Sequence, residues 1–130
     1  MIFVDSSVWI DYFCGRDTPE ANILDSNLGV RPVAVGDLVL TEVLQGFRTD
    51  RDYRTARALM EELTVFDMLG RTMAVKSAEN FRKLRKKGIT IRKTADVIIA
   101  TFCIEHELPL LFSDKDFLPF VAHLKLTEVR

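Results

Sequence analysis

Apolar residues along this chain fall into short blocks separated by longer stretches in which they recur every three or four positions. The blocks are Ile2 to Val4, Pro32 to Val35, Thr64 to Met68 and Leu110 to Phe112, each of strand length. Between them Val8, Trp9, Tyr12 and Phe13 hold helical spacing behind Ser6 and Ser7, either of which can cap a helix. Thr18-Pro19-Glu20 opens a second helix with a capping hydroxyl and a first-turn proline, and Gly29 stops it. Gly36-Asp37 opens a third, through Leu38, Glu42 and Leu44 to about Phe47, and Asp50 a fourth that carries Ala56, Leu59, Met60 and Leu63. Arg71 to Lys87 predicts a long helix ending at Gly88, and another runs from near Thr94 to about Leu108, before Pro109. Lys125 to Val129 reads as an edge strand. Short apolar strands alternating with helices predict an α/β fold: a mostly parallel central sheet of about four to five short strands, flanked by helices on both faces. No repeat, low-complexity tract or linker breaks the pattern, and 130 residues suffice for one domain over 1–130.

Composition narrows the class. With 48% hydrophobic and 28% charged residues the chain can bury a core, which excludes intrinsic disorder. Eighteen basic against nineteen acidic residues leave a net charge of −1, so an affinity for nucleic acid has to come from local patches. Cys14 and Cys103 lie in apolar surroundings without CxxC spacing and read as free thiols in a reducing compartment, so the expected location is cytoplasmic. The uncharged run from Val97 to Ile104 is far shorter than the roughly 20 residues of a membrane span, and no membrane association is expected.

Four of the acids sit in surroundings that suit apolar residues better. Asp5 ends the first apolar block, Glu42 is the only charge between Asp37 and Arg48, Asp96 precedes eight uncharged residues, and Asp114 follows the last block. An isolated carboxylate removed from water costs several kcal/mol or becomes protonated. No Lys or Arg lies inside these apolar runs, so the compensating charge is sought elsewhere. Taken singly, Asp5 and Asp96 read as helix caps, Glu42 as a residue on an amphipathic helix and Asp114 as a turn residue. Taken together, three of them fall at the carboxyl edge of one parallel sheet, where such folds place their sites, with Glu42 reaching in from a crossing helix. Convergence on a divalent cation, Mg²⁺ or Mn²⁺, is the solution that hard carboxylate oxygens favour.

The four motifs D-S-S, L-T-E-V-L-Q-G-F, T-A-D-V-I-I-A and L-F-S-D-K-D-F, in this order and spacing, resemble those of PIN-domain ribonucleases, and among them the VapC toxins of VapBC toxin–antitoxin pairs. The resemblance covers essentially the whole chain. It implies a PIN-like fold and a Mg²⁺- or Mn²⁺-dependent endoribonuclease that cleaves structured RNA, a transfer RNA or ribosomal RNA loop, by attack of metal-activated water. By motif position Asp5, Glu42, Asp96 and Asp114 take the catalytic acidic quartet, Ser6 and Ser113 the supporting hydroxyls, and Asp116 a fifth, variable acid. It also implies a cognate antitoxin partner and a homodimer. For such chemistry Asp5, Asp96 and Asp114 are the expected direct ligands, with Glu42 as a further ligand or general base.

The tract R-K-L-R-K-K-G-I-T-I-R-K, residues 82–93, holds seven of the eighteen basic residues and no acid, and ends three residues before Asp96. Arg82, Arg85, Lys86, Lys87, Arg92 and Lys93 are therefore the expected RNA-binding surface, with cations complementing a helix C-terminus as the plainer alternative for its first half. His106 and His123 have no metal-ligand spacing, and the aromatic residues read as core. A haloacid-dehalogenase-type phosphatase would need an acid at position 7, where Ser7 stands, and a response-regulator receiver would need an acidic pair where Asp5 stands alone. The rival of another class is a PIN-like fold serving as a non-catalytic binding module, marked by loss of a quartet acid; all four are present.

Overall fold

The computed structural model describes residues 1–129. Four strands, β1 (Ile2–Val4), β2 (Val33–Gly36), β3 (Thr64–Phe66) and β4 (Leu110–Leu111), form one sheet in the order β3-β2-β1-β4, every pairing parallel. Seven α-helices lie among the described residues: α1 (Ser6–Phe13), α2 (Pro19–Asn27), α3 (Asp37–Leu44), α4 (Asp50–Glu61), α5 (Arg71–Lys86), α6 (Thr94–Glu105) and α7 (Leu118–His123). A 3₁₀ turn, Lys115–Phe117, precedes the last. Every residue of β1 and β2 is buried, so both faces of the central strands are covered, as a parallel sheet requires. None of these helices is long and apolar enough to cross a membrane.

Local chemistry sets the boundaries. Thr18 caps α2, its hydroxyl accepting from the Ala21 N–H at 3.0 Å, and Thr49 caps α4 in the same way through Asp52 at 3.2 Å. Gly88, at φ +82°, ends α5 in the left-handed region, which lets the Ile89 N–H reach back to the Leu84 carbonyl at 3.0 Å. α3 stops at Leu44 rather than Phe47, and α6 at Glu105 rather than Leu108, because the chain turns into i→i+3 and capping bonds there. The expected edge strand near the end of the described chain reduces to a single parallel bridge, Leu110 to Glu128. The 3₁₀ turn and α7 have no counterpart in the sequence reading; they bury Phe117 and Phe120 in the core.

One glycine is fixed by packing. A Cβ on Gly36, the last residue of β2, would stand 1.9 Å from Met68 Sδ and 2.9 Å from Phe3 Cζ, and both of those side chains are buried. Gly36→Ala is expected to destabilise the protein by about 1–3 kcal/mol, the cost of overpacking a filled core. Urea unfolding measures it; an unchanged midpoint would mean that the Met68 side chain has room to move.

Candidate metal centre

Asp5 continues β1 by one residue, its N–H bonded to the Leu111 carbonyl of β4 at 3.0 Å, and then starts α1. Its two oxygens do different things. Oδ2 caps the helix, accepting the Ser7 N–H at 3.3 Å and the Ser7 hydroxyl at 2.7 Å. Oδ1 is buried and has no hydrogen-bond partner. The residue is 3% exposed, and burial raises its pKa against the lowering effect of the Ser7 bonds, with the charge of Asp114 adding to the rise. Asp5 is therefore a cap and, with its second oxygen, an acceptor still unsatisfied.

Glu42 enters from α3 and Asp96 from the first turn of α6. Glu42 Oε1 and Asp96 Oδ2 are likewise buried without partners. Burial first and the Asp5 charge second raise the pKa of Glu42, while Ser6 and Lys93 pull it back. The same two causes, with smaller repulsion from Asp114 and Glu42 and an offset from Lys93, push Asp96 up to about 7. Asp114 follows β4 and caps the 3₁₀ turn, Oδ1 accepting the Asp116 N–H at 2.9 Å. One oxygen each from Asp96, Asp114 and Asp116 lies within 4.8 Å of the others. Asp5 and Glu42 are not part of that tight cluster and reach it through their charges.

The structure thus brings all four quartet acids and Asp116 to one rim of the sheet. Asp37, at the end of β2, shows what an acid on this edge does when it is structural: exposed, it accepts the Leu38 N–H at 2.8 Å and the Met68 N–H at 3.1 Å through a single oxygen, tying β2 to the chain after β3. The hydroxyls divide among the acids. Ser6 stands beside Glu42, and Ser7, absent from the sequence-based site, holds Asp5 and lies 3.2 Å from the Ser113 hydroxyl. The D-S-S motif contained both serines; only the turn into α1 decides which one meets Asp5.

Cations from outside the apolar runs are also present. Lys93, immediately before α6, places Nζ 3.7 Å from Asp114 Oδ2, and Arg92 Nη2 lies 3.0 Å from Asp116 Oδ2. Neither reaches the three orphaned oxygens of Asp5, Glu42 and Asp96. Buried carboxylate oxygens without donors, gathered from three elements, fit a hard divalent cation.

The basic tract does not form one face. Helical spacing sends Lys83 and Lys86, with Lys87, into a concavity of about 580 Å³ shared with His123 and Lys125, whereas Arg82 borders an apolar groove of about 450 Å³ that includes Thr94. Arg85 lies over the Phe81 ring, 5.4 Å from its centroid. Only Arg92 and Lys93 face the acids. His106 is structural: Nδ1 is 2.9 Å from the Phe102 carbonyl and its ring stacks on Phe102. Cys14 and Cys103 are free thiols, the second buried.

Residues 2–120 match the sequence model of the PIN domain. A VapC ribonuclease of Mycobacterium bovis, Mb1587, is 28% identical over 120 residues, which span 90% of this chain and 89% of that protein. Among solved structures, VapBC2 of Rickettsia felis, bound to a DNA fragment from its promoter, superposes with a TM-score of 0.77 at 17% identity, covering 99% of this chain and 98% of that one. A toxin–antitoxin complex of Klebsiella pneumoniae gives 0.73 at 17% identity, with 99% and 100% covered.

Proposed function

This chain belongs to the PIN-domain family, and on that footing we propose that it is a divalent-metal-dependent endoribonuclease of the VapC type, acting in the cytoplasm on a structured RNA such as a transfer RNA or ribosomal RNA loop. The observation that carries the reading is the set of three buried, unpartnered carboxylate oxygens on Asp5, Glu42 and Asp96. An acid with only a structural role uses an oxygen as Asp37 does, whose Oδ1 accepts the Leu38 and Met68 N–H groups, and leaves none buried and unpartnered. The relatives named as VapC ribonucleases support the activity, and the neighbours solved as VapBC and toxin–antitoxin complexes support a cognate antitoxin as partner.

Asp5, Asp96 and Asp114, with Glu42, would hold the cation, Mg²⁺ or Mn²⁺. When bound, such an ion lowers the pKa of water and neutralises charge on a phosphodiester. The rest is the work of the chain. Ser7, braced by Ser113, fixes the Asp5 carboxylate so that Oδ1 points away from the cap. Glu42 Oε1, buried and without a hydrogen-bond partner, is placed to take a proton from an attacking water. Arg92 and Lys93 border the acids and offer positive charge to the phosphate.

The direct test is incubation of the purified protein with total RNA, with Mg²⁺ or Mn²⁺ and with chelator. Discrete fragments are expected with metal alone, and cleavage that survives chelation would refute the reading. A second consequence follows from Asp96. Because its proton must leave before a cation can be held, Mn²⁺ affinity should fall roughly tenfold per pH unit below about 7 and level off above it. Calorimetry between pH 5.5 and 8.5 measures this, and a flat profile would contradict it.

A further inference from the structure

Lys93 breaks the local rule for its position. It is the N-cap residue of α6, makes no side-chain capping bond, and puts a cation where the helix dipole is already positive. Its carbonyl is held by the Asp96 and Val97 N–H groups at 3.1 and 3.4 Å, so the backbone is anchored. The side chain is not: it is 58% exposed, and its ion pair among the described residues is the 3.7 Å approach to Asp114. From there its charge also favours the ionised forms of Glu42 and Asp96. A residue that opposes its own helix and whose charge lies among the acids of the site is placed for the site.

We propose that Lys93 is an exchangeable counter-ion of the acid pocket: its ammonium occupies the Asp114 side of the pocket in the metal-free protein, is displaced by the divalent cation, and is thereby released to meet a phosphate of the RNA. The proposal rests on the metal-dependent reading above. Lys93 is a positioning residue whose effect on the two ligands has opposite sign. As a rival cation it weakens metal binding, and as a freed one it strengthens RNA binding. The two ligands are coupled through one swinging side chain.

The experiment uses Lys93→Met and Lys93→Gln, each checked for an unchanged circular dichroism spectrum, with Lys93→Arg as the conservative variant. At pH 8.5 calorimetry should show Mn²⁺ binding both neutral variants roughly fivefold more tightly than wild type, the size expected when one nearby charge in a partly hydrated site is removed. Lys93→Arg should stay near the wild type. Fluorescence anisotropy with a labelled RNA should show the neutral variants losing affinity, and losing more in Ca²⁺ than in chelator, because in chelator the wild-type ammonium is still held by Asp114. Mn²⁺ binding that is no tighter in the neutral variants, or an RNA loss equal in both buffers, would overturn the exchange while leaving the metal centre standing. A wild type that binds no Mn²⁺ would remove the metal-dependent reading, and the exchange with it.

Discussion

Asp96→Asn is expected to cut RNA about 10³-fold more slowly than the wild type, a barrier higher by about 4 kcal/mol, and yet to melt above it in chelator. The two effects share one cause. Among the described residues nothing donates to Asp96 Oδ2, which lies buried opposite the charges of Asp5, Asp114 and Glu42. With a cation present that oxygen is a ligand; without one it is a source of repulsion. An amide of the same shape removes the repulsion and can donate to a neighbouring carboxylate, for a gain of roughly 3–5 °C if about 1 kcal/mol is recovered. The pH dependence has the same origin. The folded state keeps a proton on Asp96 up to about pH 7, whereas the unfolded chain releases it near the ordinary carboxylate value of 3.8. Stability of the metal-free protein should therefore decline as pH rises through that window, and Asp96→Asn should flatten the decline. A variant that melts clearly below wild type would show that Asp96 serves α6 as a helix-terminal acid instead.

Mn²⁺ at about a hundred times its dissociation constant is expected to raise the wild-type melting temperature by roughly 10 °C. Binding to the folded state alone contributes about 2.7 kcal/mol at that excess, and the unfolding entropy of a chain this size converts it into a shift of that order. The same addition should leave Asp5→Asn and Asp96→Asn almost unmoved. Asp5→Asn is the cleaner control, because an amide oxygen can still accept from Ser7 and keep α1 capped while the charge is lost. Differential scanning calorimetry, with and without EDTA, reads both results. An equal shift in the variants would mean that the ion binds elsewhere.

Much of this was legible in the sequence because the strands are short apolar runs that stop at acids. Val4-Asp5 and the Leu111-to-Asp114 segment mark the carboxyl edge directly, and Thr18-Pro19 and Gly88 punctuate helices through chemistry that needs no tertiary partner. What escaped depends on direction. Lys93 belongs to a basic tract, and only the start of α6 turns it toward Asp114 and away from Lys86 and Lys87. The tract itself divides because residues three or four apart share a helix face and adjacent ones do not. Ser7, which the motif reading left out of the site, meets Asp5 for the same kind of reason, the geometry of a cap. The α7 segment, six residues long with Pro119 in its first turn, is too short for periodicity to announce it, and Phe117 and Phe120 are drawn in by the core.

The position of the ion tests the central claim most directly. In crystals grown with Mn²⁺, the anomalous difference map should place a peak within coordination reach of Asp5 Oδ1 and Asp96 Oδ2, on the side facing Glu42 and Asp114. A peak held by the half-buried Asp114 and Asp116 carboxylates alone, with the Asp5 and Glu42 oxygens left unliganded, would contradict it.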